Sequence, residues 1–264
     1  MRTGLALGVA VTLLAPSLAS VEEATSSASD ARIWIGRHAE FEEFLRTAPI
    51  VEIRDVGQGV TKPRQAFFRP GGLAESAVVK KLPPRWRGNF FESYKSEIAA
   101  YELDRLLGMN MVPVTVERRV EGELASVQLW AKGPLLSEVE RQAPRNPAEW
   151  SRQVRRYRVF DDLIANIDRN AGNIIIDDEW NVILIDHSRA FAVDRMPNER
   201  KITRIDRELF AAIKALDEKT LKERLRPWLF DDGALKKLLG RRDKIVAKLE
   251  RLIEERGEAA VLSH

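Results

Sequence analysis

The chain has 264 residues, 44% of them apolar, and 43 basic against 40 acidic side chains leave a net charge of +3. This apolar content excludes a disordered or collagen-like chain, and the near balance of charge excludes the concentrated positive field that nucleic acid requires. The absence of cysteine excludes disulfides, thiol catalysis and cysteine-based zinc sites; the three histidines, His38, His187 and His264, are too far apart in sequence to suggest a multi-histidine metal centre.

Met1 to Ala19 reads as an export signal. Arg2 supplies the positive start, Gly4 to Leu14 the apolar run, Pro16 the break, and Ser17-Leu18-Ala19 the small residues of a cleavage site. The run is too short to span a bilayer comfortably. Cleavage predicts an exported protein, periplasmic or secreted; an uncleaved leader would anchor the amino terminus in a membrane. Ser20 to Asp30 is a polar, flexible leader. The mature chain then divides into a first lobe, residues 31–131, and a second, residues 132–264.

A short helix is expected around Phe41 to Leu45. Strands follow at Ile50 to Val56, Val60 to Phe68 and Ala77 to Leu82, separated by the turns Gly57-Gln58-Gly59 and Arg69-Pro70-Gly71-Gly72. Tyr94, Ile98 and Tyr101 mark one face of a helix from about Phe91 to Leu107, which Gly108 ends. Val114 to Val120 and Leu124 to Leu129 complete the lobe as a pair of strands. Lys132-Gly133-Pro134 reads as a linker. Beyond it helical patterns dominate: Trp150 to Ile167, Arg207 to Leu216, Leu221 to Leu229 and Ala234 to Glu255. The fold class is therefore α+β, a sheet-rich lobe with one helix joined to a mostly helical lobe.

The exception in the helical half is Ile174 to Ile185, two apolar runs around the polar turn Asp177 to Asn181, which is a β-hairpin. Asn173 precedes its first strand and Asp186 follows its second. A hairpin brings its open ends together, so these two oxygen-bearing side chains become neighbours. A carboxylate beside an amide oxygen suits Mg²⁺, which also takes water and phosphate oxygens. Asp168 lies five residues before Asn173, in the loop between helix and hairpin, where a carboxylate could accept a proton from a hydroxyl. Asp-x-x-x-x-Asn is the spacing of a phosphoryl-transfer catalytic loop.

At these residues the chain resembles the atypical branches of the protein-kinase-like superfamily: phosphatidylinositol 3-/4-kinases, HipA-type bacterial kinases and the secretory-pathway kinases related to the Golgi casein kinase. Their catalytic loop reads Asp-Arg-x-x-x-Asn, which Asp168-Arg169-Asn170-Ala171-Gly172-Asn173 matches. Leu184 to Phe191 resembles their metal-binding segment, with Asp186 as the ligand and Ser188 where many relatives have glycine. The resemblance implies a bilobal kinase-like fold and a Mg²⁺- and ATP-dependent kinase, with Mn²⁺ as an alternative ion. The acceptor would be a hydroxyl of a protein, lipid or small molecule.

The resemblance also implies roles. Asp168 would be the catalytic base and Arg169 a stabiliser of local negative charge. Lys80, with Lys81 as competitor, would hold nucleotide phosphates. Glu97, with Glu92 and Glu102 as alternatives, would pair with that lysine. Gly57, Gly59 and Thr61 would offer backbone N–H groups to phosphate, and Gln128 and Trp130 would stand at the hinge where adenine docks. The alternative function is a catalytically inactive kinase-like module that binds nucleotide and acts through partners.

Overall fold

The computed structural model describes Met1 and residues 31–57, 62–192 and 195–263. The expected signal peptide, beyond Met1, and the polar leader lie outside the described residues. Among the described residues no helix is long and apolar enough to cross a membrane.

After α1 (His38–Thr47), the strands β1 (Ile50–Asp55), β2 (Arg64–Phe68) and β3 (Ser76–Lys80) run as an antiparallel meander. A small hairpin, β4 (Arg85–Arg87) and β5 (Phe90–Glu92), leads into α2 (Tyr94–Leu106). β6 (Thr115–Val120) and β7 (Glu123–Leu129) then close a five-stranded sheet of order β1-β2-β3-β7-β6. α1 adds a second helix to this lobe and buries Phe41 and Leu45. The second half holds α3 (Leu136–Val139), α4 (Pro147–Leu163), the hairpin β8 (Ile174–Ile176) and β9 (Val182–Leu184), and β10 (Ile205–Asp206). It ends with α5 (Arg207–Ala215), α6 (Glu218–Leu225), α7 (Asp232–Arg256), α8 (Glu258–Val261) and β11 (Leu262–Ser263). One apolar core continues through both halves, from Tyr101 and Val127 through Phe160 and Ile183 to Leu238 and Leu249.

Several elements differ from the sequence expectation, and three of the differences shape the site. The helix expected from Phe91 starts at Tyr94, because Phe91 and Glu92 pair with Trp86 and Arg85 in the β4–β5 hairpin. Ser93 then caps α2, its Oγ accepting Lys95 N–H at 3.0 Å. Helical spacing of apolar residues cannot distinguish this short strand from a first helical turn. α4 begins at Pro147, behind the Asn146 cap, and ends at Leu163 rather than Ile167. Ala165, at φ +51°, breaks the helix and frees the segment carrying Asp168 to form a loop.

The linker is the third. Pro134 O accepts Ile176 N–H at 3.0 Å and Leu135 bridges Ile175, so the connection is joined to the β8–β9 hairpin. Gly133 sits at φ +139°, and a Cβ there would lie 2.5 Å from Ile176 O. Gly133→Ala is expected to cost about 1–3 kcal/mol, because the obstacle is backbone and cannot swing aside. A lowered urea midpoint at unchanged slope would check it.

The turn after α2 is organised by a buried acid. Asp104 is fully buried and its Oδ1 accepts Met111 N–H at 3.0 Å, while Met111 O accepts Leu184 N–H at 2.8 Å from β9. Desolvation pushes the Asp104 carboxyl up to about 7, against the backbone donors of Met111, Val112 and Asn110. A carboxyl with a raised folded pKa binds more protons folded than unfolded, so its contribution to stability is lost as pH rises from about 4 to 7. The stability of Asp104→Asn relative to wild type should therefore rise across that range and level off above it. Thermal midpoints of both proteins between pH 5 and 8 test this.

Candidate active site

Strand alternation sends Val78 and Lys80 of β3 to one face of the sheet and the buried Ala77 and Val79 to the other. Val78 and Lys80 line a cleft of about 520 Å³ between the sheet and the β8–β9 hairpin. α2 runs behind it, and Glu97 meets the lysine there: Lys80 Nζ donates to Glu97 Oε1 at 2.5 Å and to Asp186 Oδ1 at 2.8 Å. Lys80 is 6% exposed and Glu97 1%. Burial alone would favour the neutral forms of both. The two carboxylates outweigh it and raise the lysine pKa, and Lys80 with His187 holds the Glu97 carboxyl well below its usual range. Lys81 bonds Glu121 at 2.8 Å instead. Of the other acids, Glu92 pairs with Arg87 and Arg189, and Glu102 with Arg224.

The hairpin delivers the other polar groups. Its register sets Ile174 opposite Leu184, and Ile185 N–H donates to Asn173 O at 3.2 Å. Asn173 therefore stands opposite Ile185, one step from Asp186, and both Asn173 and Asp186 line the cleft. Ile185 lines it too. Two consecutive strand residues cannot share a face, and the left-handed backbone at Asp186, φ +57°, is what turns its carboxylate to the same side. Ser188 Oγ donates to Asp186 Oδ1 at 3.0 Å and helps hold it there.

Asp168 stands at the loop beyond the residues that line the cleft, and its side chain is 42% exposed. Its backbone O accepts Asn173 Nδ2 at 2.9 Å, and its Oδ2 accepts Arg189 Nη1 at 2.9 Å. Arg169 is not among the residues that line the cleft. Its side chain is only 9% exposed and turned inward, onto the Asp161 carboxylate at 2.9 Å, Asn173 O at 2.6 Å, Ile185 O at 2.8 Å and His187 Nε2 at 2.8 Å. It braces the open end of the hairpin and does not line the cleft. The cause is Asp161, in the last turn of α4, whose carboxylate draws the guanidinium under the loop.

The remaining cleft wall is apolar, from Leu129, Ala131, Leu135 and Ile175, with Trp130 at the end of β7. Gln128 also lines it, but its amide donates to Thr115 Oγ1 at 2.8 Å, and Trp130 N–H is taken by Ser76 O at 3.2 Å. Gly57 has the left-handed φ of +72° and is not among the lining residues. Gly59 and Thr61 lie outside the described residues.

Two side chains that sequence reasoning passed over organise the site. His187 is fully buried and neutral, burial holding its pKa below the ordinary value. Its backbone N–H donates to Glu97 Oε2 at 2.9 Å while its ring accepts from Arg169, so it links α2 to the loop that carries Asp168. Arg189 reaches both Asp168 and Glu92, at 2.9 and 2.8 Å, and so ties the loop to the β4–β5 hairpin. The signal for His187 was its place beside Asp186; nothing local marked Arg189. α2 is further held by Ser93 N–H to Ser188 O at 3.0 Å and Ser96 Oγ to Ala190 O at 3.2 Å.

The donor set fits a hard divalent ion. Asp186 offers a carboxylate, and Asn173, with its amide nitrogen committed to Asp168 O, offers its amide oxygen. Among the described residues no three His, Asp or Glu gather into a cage, so such an ion would complete its shell from phosphate oxygens and water.

The sequence matches no family model and no curated protein. Solved structures do match. The Golgi casein kinase with Mn/ADP bound is 17% identical, over 85% of this chain and 78% of that one, with a TM-score of 0.64. Hydra Fam20, solved with sugar, is 16% identical over 85% and 91%, with a TM-score of 0.67. The Helicobacter pylori proinflammatory kinase CtkA is 13% identical over 83% and 99%, with a TM-score of 0.53. The fold is that of an atypical protein kinase. In this kinase fold the five-stranded sheet and α2 form the amino-terminal lobe, the helices from α4 onward form the carboxy-terminal lobe, and the cleft lies between them. At 13 to 17% identity the likeness speaks for the fold, and the chemistry rests on the side chains in the cleft.

Proposed function

We propose that this chain is a phosphotransferase that moves the γ-phosphoryl group of ATP to a hydroxyl acceptor. The observation that carries the reading is the buried Lys80–Glu97 pair, joined to Asp186 at the wall of an apolar cleft. Burying a lysine against two carboxylates is a poor way to stabilise a fold, and strongly perturbed groups in a cleft mark functional sites. The apolar walls suit a nucleobase, and Lys80, oriented by Glu97, positions the phosphates. Asn173 and Asp186 would hold Mg²⁺ or Mn²⁺, which supplies charge neutralisation on the phosphate oxygens. Asp168 orients the acceptor hydroxyl and takes its proton as the acceptor oxygen bonds to phosphorus and the bond to ADP breaks. Arg169 keeps the hairpin ends in register for this. The neighbouring structure bound to Mn/ADP supports nucleotide and divalent-ion binding. The Met1 to Ala19 leader supports action outside the cytoplasm.

One observation favours the second reading, a nucleotide-binding module without transfer: the Asp168 carboxylate is paired with Arg189. Incubation of the full chain with γ-labelled ATP, Mg²⁺ or Mn²⁺ and candidate acceptors, including the chain itself, separates the two. Label transfer supports the phosphotransferase. A thermal shift with metal and ATP but no transfer selects the module, and no nucleotide effect on either readout defeats both.

A further inference from the structure

The first turns of α4 carry Arg152, Arg155 and Arg156, and the pairing of β10 with β11 brings Arg204 and Ser263 beside them. Among the described residues, the two carboxylates that bond these arginines are already occupied. Glu149 gives both oxygens to Arg152, at 2.8 and 2.9 Å. Asp206 accepts Arg152 at 2.7 Å, Arg156 at 2.8 Å and the Leu209 N–H at 2.8 Å. Among the described side chains four arginines face two acids, and Arg155 and Arg204 are the two left without an acidic partner. Neither has an ion-pair partner among the described residues, and Arg155 Nε is buried without a hydrogen-bond acceptor.

These two cations line a concavity of about 390 Å³, together with Asn146, Arg152 and Ser263. None of the five lines the nucleotide cleft. Asn146 Oδ1 is occupied by the Ala148 and Glu149 N–H groups at 3.2 Å, which leaves its amide nitrogen as a donor. Burial, then the facing cations of Arg204 and Arg152, hold the Arg155 pKa below its ordinary value, and the opposing pull of Asp206 does not outweigh them. A dianion with several acceptor oxygens removes that repulsion, and the guanidinium fork matches a phosphate group. A phosphate monoester carries nearly two negative charges at neutral pH and so can answer both cations.

We infer that this concavity binds a phosphate monoester, gripped by Arg155 and Arg204 and separate from the nucleotide cleft. The test is calorimetric titration of the full chain with glycerol 3-phosphate at constant ionic strength. Wild type and Asp186→Ala should each bind one equivalent, and Arg155→Ala/Arg204→Ala should bind at least about tenfold more weakly. Without ligand, that double variant should melt no lower than wild type, since a repulsion is removed. Arg204→Glu, at an exposed position, serves as a second variant and should abolish binding. Vesicles containing phosphatidic acid separate the sources of the group: arginine-dependent capture assigns it to a lipid headgroup, and binding in solution alone assigns it to a free monoester. The inference is overturned if wild type shows no saturable binding, if the arginine variants bind as wild type does, or if Asp186→Ala is the variant that loses the site.

Discussion

Asp186→Ala is expected to lower phosphoryl transfer by about 10³-fold or more, roughly 4 kcal/mol of transition-state stabilisation, while the fold persists. Among the described residues two carboxylates line the cleft, Asp186 and Glu138, and of these Asp186 is the one that bonds Lys80. Its loss removes half of the proposed ion site. Stability is spared because Lys80 keeps its 2.5 Å bond to Glu97 and no buried charge is left unpaired. The new alanine must hold a left-handed backbone, a penalty of about 1 kcal/mol. Transfer of labelled phosphate, read beside the melting curve, checks both halves. Turnover equal to wild type would refute the assignment of Asp186.

Lys80→Met should behave in the opposite way and unfold the protein more than any substitution on the cleft floor. It leaves the Glu97 carboxylate fully buried with no cation and Asp186 close by. Breaking a buried pair by removing one partner costs about 3–5 kcal/mol, or about 6–20 °C in thermal midpoint for a chain of this size. Adding Glu97→Gln removes the orphaned charge, so the double variant should regain most of the midpoint and none of the transfer. That pattern separates a lysine needed for chemistry from one needed only for packing. Acid should erode the same pair in wild type. Glu97 has a depressed folded pKa, so its contribution is present above the unfolded value of about 4.5 and is lost as pH falls below it. A Lys80→Met/Glu97→Gln protein should lose less stability than wild type between pH 5 and 3.

The hairpin shows why part of this site was legible in advance. Two apolar runs around a polar turn pair in one register, so the approach of Asn173 and Asp186 follows from about a dozen residues of local pattern. The step between them did not follow, because it depends on the left-handed turn at Asp186, which strand alternation cannot anticipate. Lys80 and Lys81 were both open for a related reason. Alternation requires that only one face the cleft, but which one depends on where β3 ends against β7. Arg169 was read from its motif as a stabiliser of local negative charge, with no indication of which charge it would meet. Its direction is set by Asp161, a helix residue whose side chain no motif includes.

Composition and periodicity thus determined the α+β division, the order of the longer strands and helices, and the hairpin that brings two oxygen donors together. These are short-range properties, encoded by residues two to about a dozen apart. The tertiary structure alone decided who pairs with whom. Lys80 meets Glu97 and Asp186 across 17 and 106 residues, His187 meets Glu97 across 90, and Arg189 joins Glu92 across 97. Such pairs form only where elements distant in sequence pack together, and the energy of each depends on burial and distance, which no local pattern carries.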